Sequence, residues 1–405
     1  MRFGSRVAVV AAVASVCLTG PAAPAGALEL KPGTEYVNVT ADDVKGDDIS
    51  EWPAISADGR YVAFWSYASN LVPGDTDTAG DVYVKDLRTG RIHWAGDVPE
   101  GMEREGAFGS PSISADGRRV AFATLDGRHA YVHDLRTGRT EPVDDGVTAS
   151  FDMANLPVIS GNGRYVTFAA TAPALGSRVY LRDLVSGTGE WIDHPLPSGR
   201  QELRSPTLSR DGRYLAYTVS GDDSSPGEST AVHVLDRHTG QRVRADVDCA
   251  GDPAESHVGS PVISADGRQV VFRMKCLTLL PEGTNDTGDV FVRDLRRGTL
   301  QRVVGPRPEF GTHSGRLSAD GRHLVFAVVE EEAHRPYQVI YARDLRTGRT
   351  VMVTARPDGT PNRRPAARPS IDAHGRTVAY DAIPGDLLGE AHPVGERQAL
   401  VTHLR

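Results

Sequence analysis

The sequence predicts an all-β chain folded as one closed ring of seven four-stranded antiparallel units. Three observations carry this expectation. A nine-residue turn-and-strand pattern recurs seven times, at intervals of 46 to 58 residues between its glycines. A second pattern, an alternating strand ending in an Asp-Leu-x-x-Gly-like turn, follows six of the seven copies. No stretch between them carries a sustained helical period.

Each copy opens with the turn. The clearest read SADGRYVAF from Ser56, SADGRRVAF from Ser114, SADGRQVVF from Ser264 and SADGRHLVF from Ser318. SGNGRYVTF from Ser160, SRDGRYLAY from Ser209 and DAHGRTVAY from Asp372 complete the set. Asp-Gly and Asn-Gly tolerate positive φ, so each pair makes a tight reversal joining the first two strands. The second strand follows at once, and Tyr61-Val62-Ala63-Phe64 shows that it is apolar on both faces. Burial on both sides is what stacked blades require.

The third strands are DVYVKDLRTG from Asp81, AYVHDLRTG from Ala130, RVYLRDLVSG from Arg178, AVHVLDRHTG from Ala231, DVFVRDLRRG from Asp289 and VIYARDLRTG from Val339. A short β-rich run after each glycine supplies the fourth. The seventh copy ends on a third strand, Leu400 to Arg405, with no residues for a fourth. Glu35-Tyr36-Val37-Asn38-Val39-Thr40, ahead of the first copy, is expected to complete that last blade. The prediction is a seven-bladed β-propeller over residues 35–405, its last blade completed by the N-terminal strand.

Residues 1–27 read as a secretory signal: Arg2 and Arg6, the apolar run Val7 to Leu18, then Ala25-Gly26-Ala27. Cleavage is expected after Ala27, leaving residues 28–34 as a short lead and a secreted or extracytoplasmic monomer. Cys17 raises a lipoprotein alternative, but Ala14-Ser15-Val16 lacks the large aliphatic residue of a lipobox. Beyond the signal no apolar stretch approaches the length of a membrane span. Only Cys249 and Cys276 then remain, and strand direction brings both to one end of the ring. They are expected to form a disulfide worth about 3 kcal/mol, against the alternative of two buried thiols. The formal charge of −8 gives no broad attraction to nucleic acid or an anionic membrane, and leaves local basic patches open.

The Ser-x-Asp-Gly-Arg-x-(Val/Leu)-Ala-Phe and Asp-Leu-x-x-Gly units resemble those of the TolB-like propeller family, over essentially all of Glu35 to Arg405. The resemblance implies the fold, while activity within the family varies from periplasmic adaptors to peptidase-linked propellers and metal-dependent lyases. Nothing outside the ring carries a hydrolase motif.

The segments entering the first strands gather at one end of the channel, where function sits on loops. They supply Glu51, Trp52, Phe108, Asn155, Arg204, His257, His313 and Arg368 as candidate binding residues, with Arg363 and Arg364 nearby. The alternative is a hydrated funnel of local ion pairs. Asp75, Asp77, Asp81 and Asp86 are candidate calcium ligands around a glycine bend, although Asp, Asn and Gly make such turns without metal. No cofactor is predicted. Thirteen histidines include no HExxH pair, and neither a G-x-S-x-G elbow nor a phosphate loop appears.

These features favour a non-catalytic exported scaffold presenting a propeller face to a protein, peptide or envelope glycan. The alternatives are a carbohydrate-active enzyme with a channel-mouth site, perhaps formed as a metal-dependent lyase, and a structural envelope component.

Overall fold

A computed structural model describes residues 33–75, 79–96, 107–124, 126–144, 153–172, 176–194, 201–220, 230–247, 258–274, 288–332, 335–388 and 396–404. The strands form seven antiparallel blades in chain order, spanning 50–94, 107–142, 153–192, 201–244, 258–303, 312–352 and 366–403. The third and fourth blades are also joined by a short parallel pairing of Gly176 with Gln201 and Ser177 with Glu202.

The apolar residues set this arrangement. Second and third strands are buried on both faces, as in Asp81–Asp86, so each sheet must be covered on two sides. The core accordingly lies between blades, in seven clusters that match the seven blade interfaces. One packs Trp65, Val82 and Val84 of blade 1 on Val120, Phe122 and Tyr131 of blade 2. Another joins Val62 and Phe64 of blade 1 to Ala379, Ala399 and Val401 of blade 7, so the ring closes.

Closure is by the N-terminal strand, as the sequence predicts. Thr34–Tyr36 pairs antiparallel with the last strand, in the register Thr34↔Thr402, Glu35↔Val401 and Tyr36↔Leu400. The strand is shorter than expected from the run Glu35 to Thr40. After Val37, whose N–H donates to the Ala399 carbonyl, the chain folds back on itself through a Val39↔Lys45 bridge.

The Asp-Gly turns do more than reverse the chain. In blade 1 the Ser56 hydroxyl donates to the Asp58 carboxylate at 2.5 Å, which accepts the Arg60 N–H, while the Tyr61 N–H donates to Ser56 Oγ. Neighbouring turns are then stitched together. Ala57 donates to the carbonyl of Ala115, Ala115 to Gly161, Asn162 to Arg210, Arg210 to Ala265, Asp320 to Ala373, and Ala373 back to Ala57. This backbone rosette links six of the seven neighbouring pairs of turns and draws them together at one end of the ring, the sealed end. Antiparallel order puts the Asp-Leu-x-x-Gly turns at the same end, where Leu87 donates to the Arg60 carbonyl and equivalent bonds repeat around the ring.

All the longer connections lie at the other end. The expected signal sequence through Ala27, and both Cys249 and Cys276, fall outside the described residues.

Candidate functional site

The first strands of successive blades contact one another around the axis, so they are the innermost. Each carries an irregularity at the same height. Pairing with the second strand shifts register between Glu51 and Ala54, Phe108 and Ser112, Asn155 and Val158, Arg204 and Thr207, Gly259 and Val262, His313 and Arg316, and Ala367 and Ser370.

These are β-bulges, which re-aim side chains and cluster beside functional sites. Within each bulge one residue has positive φ: Trp52, Gly109, Leu156, Ser205, Ser260, Ser314 and Arg368. Six of the seven are not glycine, and such backbone is held only where its surroundings impose it. The sequence signal is a proline directly after the strained residue, at Pro53, Pro157, Pro206, Pro261 and Pro369.

The bulges divide the expected binding residues into groups. At the seam between blades 7 and 1, Arg368 Nη1 lies 3.3 Å from Glu51 and 2.6 Å from Asp381. Arg397 contacts the same two carboxylates at 3.5 and 2.9 Å. Asp381 is fully buried and also accepts the Trp52 N–H at 3.3 Å. The Arg368 guanidinium covers the indole of Trp52. Glu51, Trp52 and Arg368 lie together at this seam and are committed to one another. The ring face expected to receive a ligand is taken by Arg368.

Across the axis the pattern differs. The residue two positions after the strained one is Ala54, Val158, Thr207, Val262 and Ser370 in five blades, and Ser112 holds the matching place before Ile113 in blade 2. In blade 6 it is Arg316. Ser370 and Ser112 show where this position points: each hydroxyl accepts from a first-strand N–H of the next blade, Ile55 at 3.2 Å and Ile159 at 3.1 Å. The position therefore faces the first strand of the next blade, on the innermost strands of the ring. Arg316 is exposed, yet the protein atoms around it lower its pKa by desolvation, the combination expected of a guanidinium near the axis of the ring. Its one hydrogen bond, at 3.2 Å, goes to the Gly315 carbonyl, and among the described residues it forms no ion pair.

His313 stands three residues before it. Its Nδ1 is 3.1 Å from the Ser314 hydroxyl, and its Nε2 is buried without a hydrogen-bond partner. Burial first, and then the positive charge of Arg273, push its pKa down to about 4. His313 is therefore a neutral imidazole at physiological pH, within reach of the Arg273 charge.

Of the remaining candidates, Arg204 is exposed and pairs with Glu202 at 3.1 Å. Phe108 and Asn155 lie on first strands, opposite Ala123 and Ala169. His257 lies outside the described residues. The candidate calcium ligands are not assembled together. Asp75 is buried and accepts from the Tyr83 hydroxyl. Asp77 is outside the described residues. Asp81 and Asp86 occupy the two ends of one strand, roughly 16 Å apart at strand rise, and Asp86 is held by Arg60 at 2.7 Å. That pair drives the Asp86 pKa well below the usual carboxylate range, with the Arg60 hydrogen bond the leading cause. Asp86 thus belongs to the sealed end and is removed from the calcium set. Among the described residues no three His, Cys, Asp or Glu side chains converge to hold a metal ion.

No protein-family model matches the chain, and no curated protein matches it. Solved structures do. An oligogalacturonate lyase from Vibrio parahaemolyticus is 12% identical with a TM-score of 0.59, covering 92% of this chain and 97% of its own. The β-propeller domain of the Trilobed protease from Pyrococcus furiosus, described as having an open velcro topology, is 13% identical with a TM-score of 0.58, covering 88% and 94%. An oligogalacturonate lyase in complex with manganese is 12% identical with a TM-score of 0.57, covering 92% and 89%. At these identities the likeness is one of fold, and it is the fold that the TolB-like repeat implies.

Proposed function

We propose that the protein is a non-catalytic binding scaffold that engages a protein, peptide or envelope glycan at the loop-bearing end of its channel. The observation that carries this reading is Arg316. A single cation without a carboxylate partner among the described residues, at a bulge position otherwise held by small neutral side chains, is poised to receive a group from outside. His313 and Arg273 add a neutral imidazole and a second cation on the same side. The paired charges around Asp381 meanwhile hold the ring shut and leave blades 4 to 6 as the receptive sector.

The test is affinity capture from native envelope and medium by the mature protein and by Arg316→Met, with mass spectrometry of peptides and released glycans. A partner enriched by the wild type and lost with Arg316→Met supports the scaffold. Equal capture by both removes the channel from the reading, and release of shortened or unsaturated glycans replaces the scaffold with a lyase.

A further inference from the structure

The sealed end carries a charge that the whole-chain total conceals. Its thirteen turns, seven of the Ser-x-Asp-Gly-Arg type and six of the Asp-Leu-x-x-Gly type, hold eighteen arginines against twelve aspartates when each is taken as a hexapeptide. That is a net +6, which leaves −14 for everything else in a chain of net −8. The basic groups are nearly all guanidinium, since the chain has forty-one arginines and four lysines. Guanidinium is the cation that pairs phosphate in two-point fashion.

The two ends act separately. Six-residue strands make the ring about 20 Å tall, whereas charges are screened beyond about 8 Å at physiological salt.

The twelve aspartates do not silence the face. One set is turned inward, where Asp86, Asp134, Asp183, Asp236 and Asp344 hold arginines of the neighbouring turn, as in Arg213–Asp236 at 2.6 Å. Asp86, Asp134 and Asp344, and Asp294 at the equivalent place in blade 5, also accept the backbone N–H of the turn residue two positions on, at 3.0 Å for Arg88, 3.0 Å for Arg136, 2.8 Å for Arg346 and 3.0 Å for Arg296. This fixes the backbone of four equivalent arginines, which are exposed and form no ion pair among the described residues. Rosette bonds link six of the seven neighbouring pairs of inner turns, so the charges are arrayed around the end of the ring and not along one groove. Between blades 2 and 3 the face dips into a recess of about 220 Å³ lined by Arg118, Arg119 and Arg136 together with Asp116 and Asp134.

Position along the chain points the same way. The Gly33 carbonyl accepts from the His403 N–H, and Leu404 bonds Arg376 of the last inner turn, so the N-terminal segment enters the ring at this end.

We propose that the sealed end is a docking surface for an anionic phospholipid membrane, with Arg88, Arg136, Arg296 and Arg346 as its outer contacts. A plane of guanidinium groups matches a plane of lipid phosphates, whereas a linear polyanion is tracked by a groove. This surface is independent of the channel reading, which concerns the opposite end.

The experiment is co-sedimentation of the mature protein with phosphatidylcholine vesicles, with and without about one-third phosphatidylglycerol. Binding is expected only to the anionic vesicles and is expected to vanish between about 0.05 M and about 0.5 M salt. Arg88→Gln, Arg136→Gln and Arg346→Gln should each weaken it about fivefold and together about a hundredfold. Arg128→Gln, at the loop-bearing end, should leave it unchanged. Near-ultraviolet circular dichroism checks that the variants fold, and the wild-type salt series needs no variant. Equal binding to neutral vesicles, or retention of polyphosphate beads with no vesicle binding, overturns the proposal. Loss of channel-partner capture by Arg316→Met leaves it standing.

Discussion

The Arg368 guanidinium carbon lies 3.7 Å from the centroid of the Trp52 ring, so the first strand of the last blade clasps the first strand of the first. Beneath that stack, Asp381 receives Arg368, Arg397 and the Trp52 N–H. The seam where the ring closes is thus held by groups from both sides of it. Removing one side of such a buried set leaves the other charges uncompensated.

Asp381→Ala should therefore destabilise the protein by about 3–5 kcal/mol, because two arginines would face Glu51 alone. Trp52→Ala should cost less than that, since the ion pairs survive it. Denaturant unfolding of the two variants checks the order, and a loss under about 1 kcal/mol for Asp381→Ala would show the seam to be held by packing alone.

The turn glycines divide into two kinds. Gly117 has φ +71 and a Cβ there would collide with the Tyr61 ring of the preceding blade, whereas Gly138 has φ +68 and open space around it. Gly138→Ala should cost about 1 kcal/mol from the left-handed backbone alone. Gly117→Ala should cost roughly 3 kcal/mol, because overpacking adds to the same strain. Equal losses in thermal melts would contradict the close packing of turn on ring.

His313 makes stability depend on pH. Its folded pKa, about 4, lies below the ordinary imidazole value, so between the two the unfolded chain binds a proton that the folded chain refuses. This contribution is complete above about pH 6.5 and is lost as pH falls toward 4, a difference of about 3 kcal/mol. His313→Gln should flatten that part of the stability profile relative to wild type. Parallel profiles for the two proteins over that window would rule the imidazole out as the cause.

A chain starting at Asn38 lacks the strand that completes blade 7. It should melt about 10 °C lower and form concentration-dependent oligomers through the uncovered edge of Gln398–His403. Size-exclusion chromatography reads the second effect directly, and an unshifted monomer with an unchanged melt would mean that the strand is dispensable.

The repeats made the ring, its blade number and its closure legible, because Asp-Gly turns and doubly apolar strands are local signals repeated seven times. The site was legible only in part. An alternating strand assigns faces by counting in twos, and a bulge adds a residue that reverses the count. Glu51, Trp52 and Arg368 were accordingly placed at the right height, but their mutual pairing with Asp381 and Arg397 depends on strands distant in sequence. Arg316 was not legible because it lies on the far side of the bulge, beyond the segments that enter the first strands. Blade 6 lacks the X-Pro step that marks the bulge in five other blades, so nothing local set Arg316 beside the alanine, serine, valine and threonine at the matching positions.

Pairing Thr34–Tyr36 with the final strand also sets an order of events. The contact Thr34 with Thr402 spans 368 residues, the kind of separation that slows folding. During synthesis the closing strand emerges first and has no partner until the last residues arrive. Completion of the ring is therefore a late checkpoint: a chain cut short before Gln398 leaves Thr34–Tyr36 with no strand to pair and blade 7 with an open edge.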